Sequence, residues 1–195
     1  ALKKDESIVI GIAKSPFDIK HFFSKMHKET TKIATNHLIS LNHRKIAYIN
    51  GPDYITTAQE RLKGYKETLK ENSISVNSKY IFPGDFTFES GIKAVRKLIK
   101  KKIDITAILV ANDVAALGVL WELKQRGIEV PGEISVIGIG NIPDTQYSYP
   151  PLTTVFIPIY EIGKYIGKYI INKLENETIP IQKNRVSLNI VKRKS

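Results

Sequence analysis

The residues able to do acid–base, nucleophilic or metal chemistry are few in this chain, and their spacing assembles none of the usual constellations. Its histidines are His21, His27, His37 and His43. None of them forms the i, i+4 pair on a helix that holds zinc together with a third ligand. His37 lies on the apolar face of a predicted helix and reads as a core residue, and His43 reads as structural in a helix-to-strand turn. There is no cysteine, which removes disulfides, thiolate nucleophiles and cysteine-ligated zinc and suits a reducing compartment, the cytoplasm by default. Carboxylates are scattered, with no pair that stands out as acid and base. Gly138-Ile139-Gly140 is a G-x-G after a strand, yet neither a third glycine nor a helix start follows. An ordinary strand-end turn fits it better than a dinucleotide site. Phosphate-loop and nucleophile-elbow motifs are absent. The expectation is no catalytic residue, no metal and no cofactor: a binding module and not an enzyme.

The elements that would position a binding site alternate in type. Residues 7–12 read as a short strand and 13–25 as irregular, with Pro16 as a breaker. A helix is predicted over about 28–41, with Ile33, His37, Leu38 and Leu41 at helical spacing and Asn42 as a left-handed cap. Residues 45–50 form a strand that Gly51-Pro52 ends. Helices follow at about 57–71, 88–101 and 114–126, the first with Ala58, Leu62, Tyr65 and Leu69 as its stripe, the last closed by Gly127. Strands are predicted at 79–82, 107–111 and 134–139. The last two are almost wholly apolar, as strands covered on both faces should be. A loop at 140–152 leads to a strand at 153–157. A helix then runs from Pro158 to about Asn176, burying Ile159, Ile162, Ile166, Ile170 and Leu174. Gly163 and Gly167 would let it lie close to another backbone, and residues 186–191 make a final strand. This alternation predicts parallel β-α-β units with helices on both faces of the sheet. In such folds ligands gather at the carboxyl ends of strands, here the loops after Asn50, Gly84, Ala111 and Ile139.

A chain of 195 residues that is 42% hydrophobic can bury a substantial core. It has no apolar run long enough to cross a membrane as a helix. The net charge of +11 comes from 30 Lys and Arg against 19 Asp and Glu. Such a balance can serve nucleic acid. No helix-turn-helix, zinc or RNA-binding pattern accompanies it, and Lys97, Lys100, Lys101 and Lys102 sit where they complement a helix C-terminus.

Several segments in register are similar to the LacI/GalR family of bacterial transcription regulators: NHRKIAYINGP at 42–52, ERLKGY at 60–65, GDFTFESG at 84–91, ANDVAALG at 111–118, VPGEISVIG at 130–138, PPLTTV at 150–155 and VKRKS at 191–195. The resemblance covers residues 36 to 195. It implies a doubly wound, parallel-sheet α/β fold of the periplasmic-binding-protein-like kind (type I), mainly its C-terminal subdomain. Residues 1–27 would be a remnant of the N-terminal sensor subdomain and 28–152 the C-terminal one. Residues 153–177 would cross into the N-terminal subdomain, and 178–195 would return. The implied function is effector binding and dimerisation for a DNA-binding repressor. Its partners would be a second copy, a sugar or related small metabolite, and operator DNA through a headpiece absent from this chain, with no membrane. A soluble sugar-binding receptor of a transport system shares the fold and is the rival reading.

The same resemblance implies site residues one at a time. Arg61 matches the arginine that reaches the effector, and its fork of donors suits hydroxyls or a carboxylate. The plainer reading is a solvated helix arginine. Asn112 matches a pocket asparagine that can donate and accept; it equally suits a cap for the helix starting at Asp113. Phe86 matches an aromatic packed on the effector ring, or is core. Asn141, after Gly140, stands where many relatives carry an acidic residue. Ile157 replaces a common glutamine, and Met26-His27 replaces an acidic pair, so polar partners for sugar hydroxyls are lost. A less polar or anionic ligand fits these changes. For pairing, Leu117, Leu120, Trp121, Tyr147 and Tyr149 are implied, with Leu117 and Leu120 equally suited to core.

Overall fold

The computed structural model describes residues 18–174 and 187–195. The strand expected at 7–12 and the break at Pro16 lie outside them. In order, the elements are α1 (Asp18–Ser40), β1 (Ile46–Ile49), α2 (Thr56–Glu71), β2 (Ile81–Phe82), α3 (Phe88–Lys100), β3 (Ala107–Val110), α4 (Asp113–Gln125), β4 (Ser135–Gly140), β5 (Thr153–Phe156), α5 (Ile159–Leu174) and β6 (Asn189–Val191). One sheet holds all six strands in the order β2-β1-β3-β4-β5-β6. The pairs among β1 to β5 are parallel, and β6 is antiparallel to β5, with Val155 opposite Ile190.

The two apolar periods explain the layers. β1 and β3 are buried at every position, because helices cover both faces of the sheet. On one face Ile46, Tyr48, Leu109, Ile137 and Val155 meet Ala34 and Leu38 of α1 and Tyr65 and Leu69 of α2. On the other, Ala47, Ile49, Ile108, Val110 and Val136 meet Val95 and Leu98 of α3 and Val119 and Leu123 of α4. Alternate residues of one strand thus feed two cores, the arrangement of a doubly wound sheet.

Local chemistry sets the ends. Asn42 takes the left-handed conformation (φ 67°) that closes α1, and Gly127 (φ 68°) closes α4, as their residue types predict. Thr87 caps α3 by accepting from the Ser90 amide at 3.2 Å.

Four expectations need correction. α1 begins at Asp18, well before the expected 28, so much of the segment read as irregular is helix. Leu41 is exposed beyond that helix. Residues 78–80 form a 3-10 turn, leaving only Ile81–Phe82 as strand. In α5, Ile162 is buried but Ile159 is exposed, and a Cβ at Gly163 or Gly167 would meet open space. These glycines therefore do not mediate a close backbone approach among the described residues. The strand expected at 153–157 is β5, hydrogen-bonded inside this sheet between β4 and β6.

Candidate functional site

The strand order reverses between β1 and β3. From β1 the chain crosses to β2 on one side and then returns to β3 on the other. The loops leaving the carboxyl ends of two such strands diverge to opposite faces and leave a crevice, the usual ligand position in open α/β sheets. The ends of β1 and β3 are joined there by an Ala111 amide bond to the Ile49 carbonyl at 2.9 Å.

Arg61 lies at this crevice. It sits in the second turn of α2 and is only 7% exposed, so the solvated-helix reading fails. Its Nη1 donates to the Ala111 carbonyl at the end of β3, while its buried Nε has no hydrogen-bond partner among the described residues. Burial holds the guanidinium below its ordinary basicity, opposed by Tyr48 and Asp113. No carboxylate forms a direct ion pair with it among the described residues. Asn50, at the end of β1, is also buried and keeps an unpartnered Oδ1. Leaving a buried donor or acceptor unmade costs about 1–3 kcal/mol, so each of these two groups is a candidate ligand contact.

His27 and Thr57 complete the α1/α2 side. The His27 Nε2 lies 3.3 Å from the Thr57 hydroxyl. Burial, then the nearby Arg61 charge, pushes its pKa down to about 3, so the ring is neutral and can both donate and accept.

Asn112 takes the capping role. Its Oδ1 caps α4 by accepting from the Ala115 amide at 3.1 Å, and its Nδ2 donates to the Phe86 carbonyl at 2.8 Å. Phe86 has a positive φ of 68°, and this bond holds its backbone in place. Its ring lies against Gly51, where a Cβ would overlap the ring. Phe86 is half-buried and packs on the core.

Asp113 opens α4. It is buried, with Oδ1 accepting from the Thr154 hydroxyl at 2.6 Å and Oδ2 from the Ile142 amide at 3.0 Å. Burial raises its pKa, opposed by these hydrogen bonds and by Arg61. The carboxylate occupies the space over β4: a Cβ at Gly138 would overlap Oδ1, and one at Gly140 would lie 3.0 Å from Oδ2. The G-x-G is therefore room for a carboxylate. Asn141, at φ 60°, follows it, with its amide on the Thr154 hydroxyl and its Oδ1 accepting from Arg193 Nη2 at 2.8 Å. Ile157 is buried in the core on the α1/α2 face.

The fold thus joins Arg61, Phe86, Asn112 and Asn141 through direct bonds or through their immediate neighbours, at the carboxyl edge of the sheet. It also adds His27, Asn50, Asp113 and Arg193. The aromatic set lies elsewhere. Trp121, Tyr147 and Tyr149 are 44, 82 and 77% exposed, with Trp121 beside Phe88 and Lys124 over the Tyr149 ring at 4.7 Å. Leu117 is half-buried, and Leu120, at 3% exposed, is core. Its side chain offers no pairing surface, because it is buried in the core between the sheet and α3/α4. His43 is structural as read, its ring bridging the Thr106 and Ser135 hydroxyls at 2.9 and 3.1 Å. No helix among the described residues is long and apolar enough to cross a membrane, and no group of His, Asp or Glu among them is arranged to hold a metal ion.

Residues 35–195 match the periplasmic binding protein-like domain family. The chain is similar to the transcriptional repressor CytR of Escherichia coli K12, 38% identical over 146 residues that make up 75% of this chain and 43% of that protein. A sugar-binding LacI-family transcriptional regulator from Escherichia coli, complexed with phosphate, superposes with a TM-score of 0.81 at 34% identity, over 87% of this chain and 60% of that one. The lac repressor dimer bound to operator and the anti-inducer ONPF superposes with a TM-score of 0.76 at 29% identity, over 86% of this chain and 58% of that one. The chain spans less than half the length of the curated relative.

Proposed function

The chain belongs to the periplasmic binding protein-like domain family and has LacI-type transcriptional regulators among its relatives; on that premise we propose that it is the effector-binding and dimerisation domain of such a regulator. The observation that carries the reading is Arg61, buried at the strand-order reversal with one donor spent on β3 and another unspent. The effector is a small polar molecule, a sugar or a related metabolite. Arg61 and Asn50 supply its hydrogen bonds, and Phe86 an apolar wall. Asn141 in place of an acidic residue favours ligands with fewer hydroxyls or with an anionic group, which Arg61 would receive.

In this reading residues 28–152 and the closing strand are the C-terminal subdomain, and α5 leads toward an N-terminal one. Effector binding changes how two such subdomains close and so repositions DNA-binding headpieces carried elsewhere in the full regulator. The chain works in the cytoplasm, as a homodimer, without catalytic turnover.

Thermal shift of this chain against sugars, phosphosugars and inorganic phosphate tests the site. A ligand at about 100 times its Kd stabilises by about 2.7 kcal/mol, a rise of several degrees. The expected result is a rise with at least one of them that Arg61→Ala abolishes. No rise with any of them, or one that Arg61→Ala leaves intact, would sink the reading.

A further inference from the structure

Asn141 stands where β4 has ended, in a left-handed backbone that strand pairing does not maintain. Three anchors hold this turn. The Thr154 hydroxyl receives the Asn141 amide at 3.3 Å, and Asp113 receives the Ile142 amide at 3.0 Å. The third comes from far along the chain: Arg193 donates from Nη2 to Asn141 Oδ1 at 2.8 Å and from Nη1 to the Leu152 carbonyl at 2.7 Å. Arg193 is itself pinned, its amide donating to the Thr153 hydroxyl at 3.0 Å. Beside it the Lys194 amide donates to the Pro151 carbonyl at 3.0 Å. The Ser195 hydroxyl accepts from the Thr153 amide and donates to the Val136 carbonyl, each at 2.7 Å.

The guanidinium has no carboxylate partner among the described residues. Its two described acceptors are neutral oxygens, one on each side of the 142–151 loop. A planar fork with fixed donors spans two such acceptors and sets the distance between them, which a flexible ammonium does not. Ser195 and the backbone amides hold residues 191–195 to the sheet, and the Arg193 bond to Asn141 ties that segment to the turn. The bond to Asn141 acts on the turn.

We infer that Arg193 is a positioning residue for the β4 rim of the cleft, fixing Asn141 through its side-chain oxygen and so coupling the 191–195 segment to the site. This rests on the reading above only in calling that rim part of an effector site. The connection runs from Arg193 to Asn141, on to Thr154 and Asp113, and from Asp113 into the β3–α4 turn that receives Arg61.

Amide hydrogen exchange, read by NMR on this chain with no ligand added, tests the connection separately from any sensing role. Arg193→Gln is expected to speed exchange at the Asn141 and Ile142 amides at least tenfold while leaving the Ala111 amide between β1 and β3 unchanged. Asn141→Gly keeps the left-handed backbone and deletes the acceptor, and is expected to speed exchange at the Arg193 and Lys194 amides. Ser195→Ala removes hydrogen bonds of the same segment and none to Asn141, so Asn141 and Ile142 should keep their rates. Unchanged exchange at Asn141 in Arg193→Gln would overturn the proposal, as would an equal rise in Ser195→Ala. Should Arg193→Gln not fold, Asn141→Gly decides alone: no change at Arg193 overturns it. A failed ligand screen would leave this result standing, and the reverse also holds.

Discussion

His27 shows what burial does to a single titratable group in this site. Its folded pKa of about 3 lies far below the ordinary 6.5, so the unfolded chain binds the extra proton and the folded one does not. Stability is therefore lost as pH falls through 6.5 toward 3. At about 1.36 kcal/mol per unit, the loss at pH 4.5 is at most roughly 2–3 kcal/mol. Asp113 acts with the opposite sign. Its raised pKa makes the ionised form a cost that appears as pH rises through that pKa. Urea unfolding of wild type and His27→Gln at pH 7.5 and 4.5 isolates the histidine. The wild type should lose more stability between the two, and parallel losses would refute the assignment. The residue scale is also where sequence reading reached its limit. Arg61, Phe86 and Asn112 could be singled out because each stands inside a recognisable segment, and Asn141 because it follows one. The unspent groups of Arg61 and Asn50 could not, because helical spacing tells which face a residue occupies and not what a polar tip meets. Arg193 on Asn141 joins positions far apart in sequence, and no periodicity carries such a pairing.

At the scale of elements, strand and helix types were readable for most of the described residues, because strands buried on both faces and amphipathic helices have different apolar periods. Boundaries failed where polarity misled: α1 starts among residues whose mixed pattern follows no clean stripe. Glycines failed for a related reason. The spacing of Gly163 and Gly167 suggests a close approach, but among the described residues close helix approaches are made at Gly64, Gly91 and Gly118. A Cβ at Gly91 would overlap the Ala115 carbonyl, and one at Gly118 the Phe88 carbonyl. Spacing alone does not reveal which helix has a neighbour. Gly91→Ala and Gly118→Ala should each force α3 and α4 apart and cost about 1–3 kcal/mol, despite a helix-propensity gain of about 1 kcal/mol. Gly163→Ala, facing open space, should keep that gain. Urea midpoints read all three, and a stabilised Gly118→Ala would contradict the packing described.

For the whole molecule, the aromatic surface outside the cleft bears on assembly. Trp121, Tyr147 and Tyr149 are large, exposed aromatics, the residue types that concentrate binding energy at protein interfaces. Sedimentation at tens of micromolar should find a dimer, and Trp121→Asp or Tyr149→Asp should weaken it at least tenfold with little change in thermal stability. Leu120→Ala should do the reverse, costing about 2–5 kcal/mol of folding through a core cavity. A monomeric wild type would remove these residues from the pairing surface. The excess of positive charge opposes association of like copies, so the dimer should tighten as salt screens it.

The carboxylate of Asp113 lying over Gly138 and Gly140 also bears on how such a site can change over generations. While Asp113 is present, any side chain at position 138 displaces it, so that glycine is locked. Once a lineage shortens residue 113, position 138 is released, and a filled 138 then bars the carboxylate from returning. The same two substitutions are thus tolerated in one order and harmful in the other. Their shared history, more than either residue alone, determines which polar groups a descendant can place beneath its ligand.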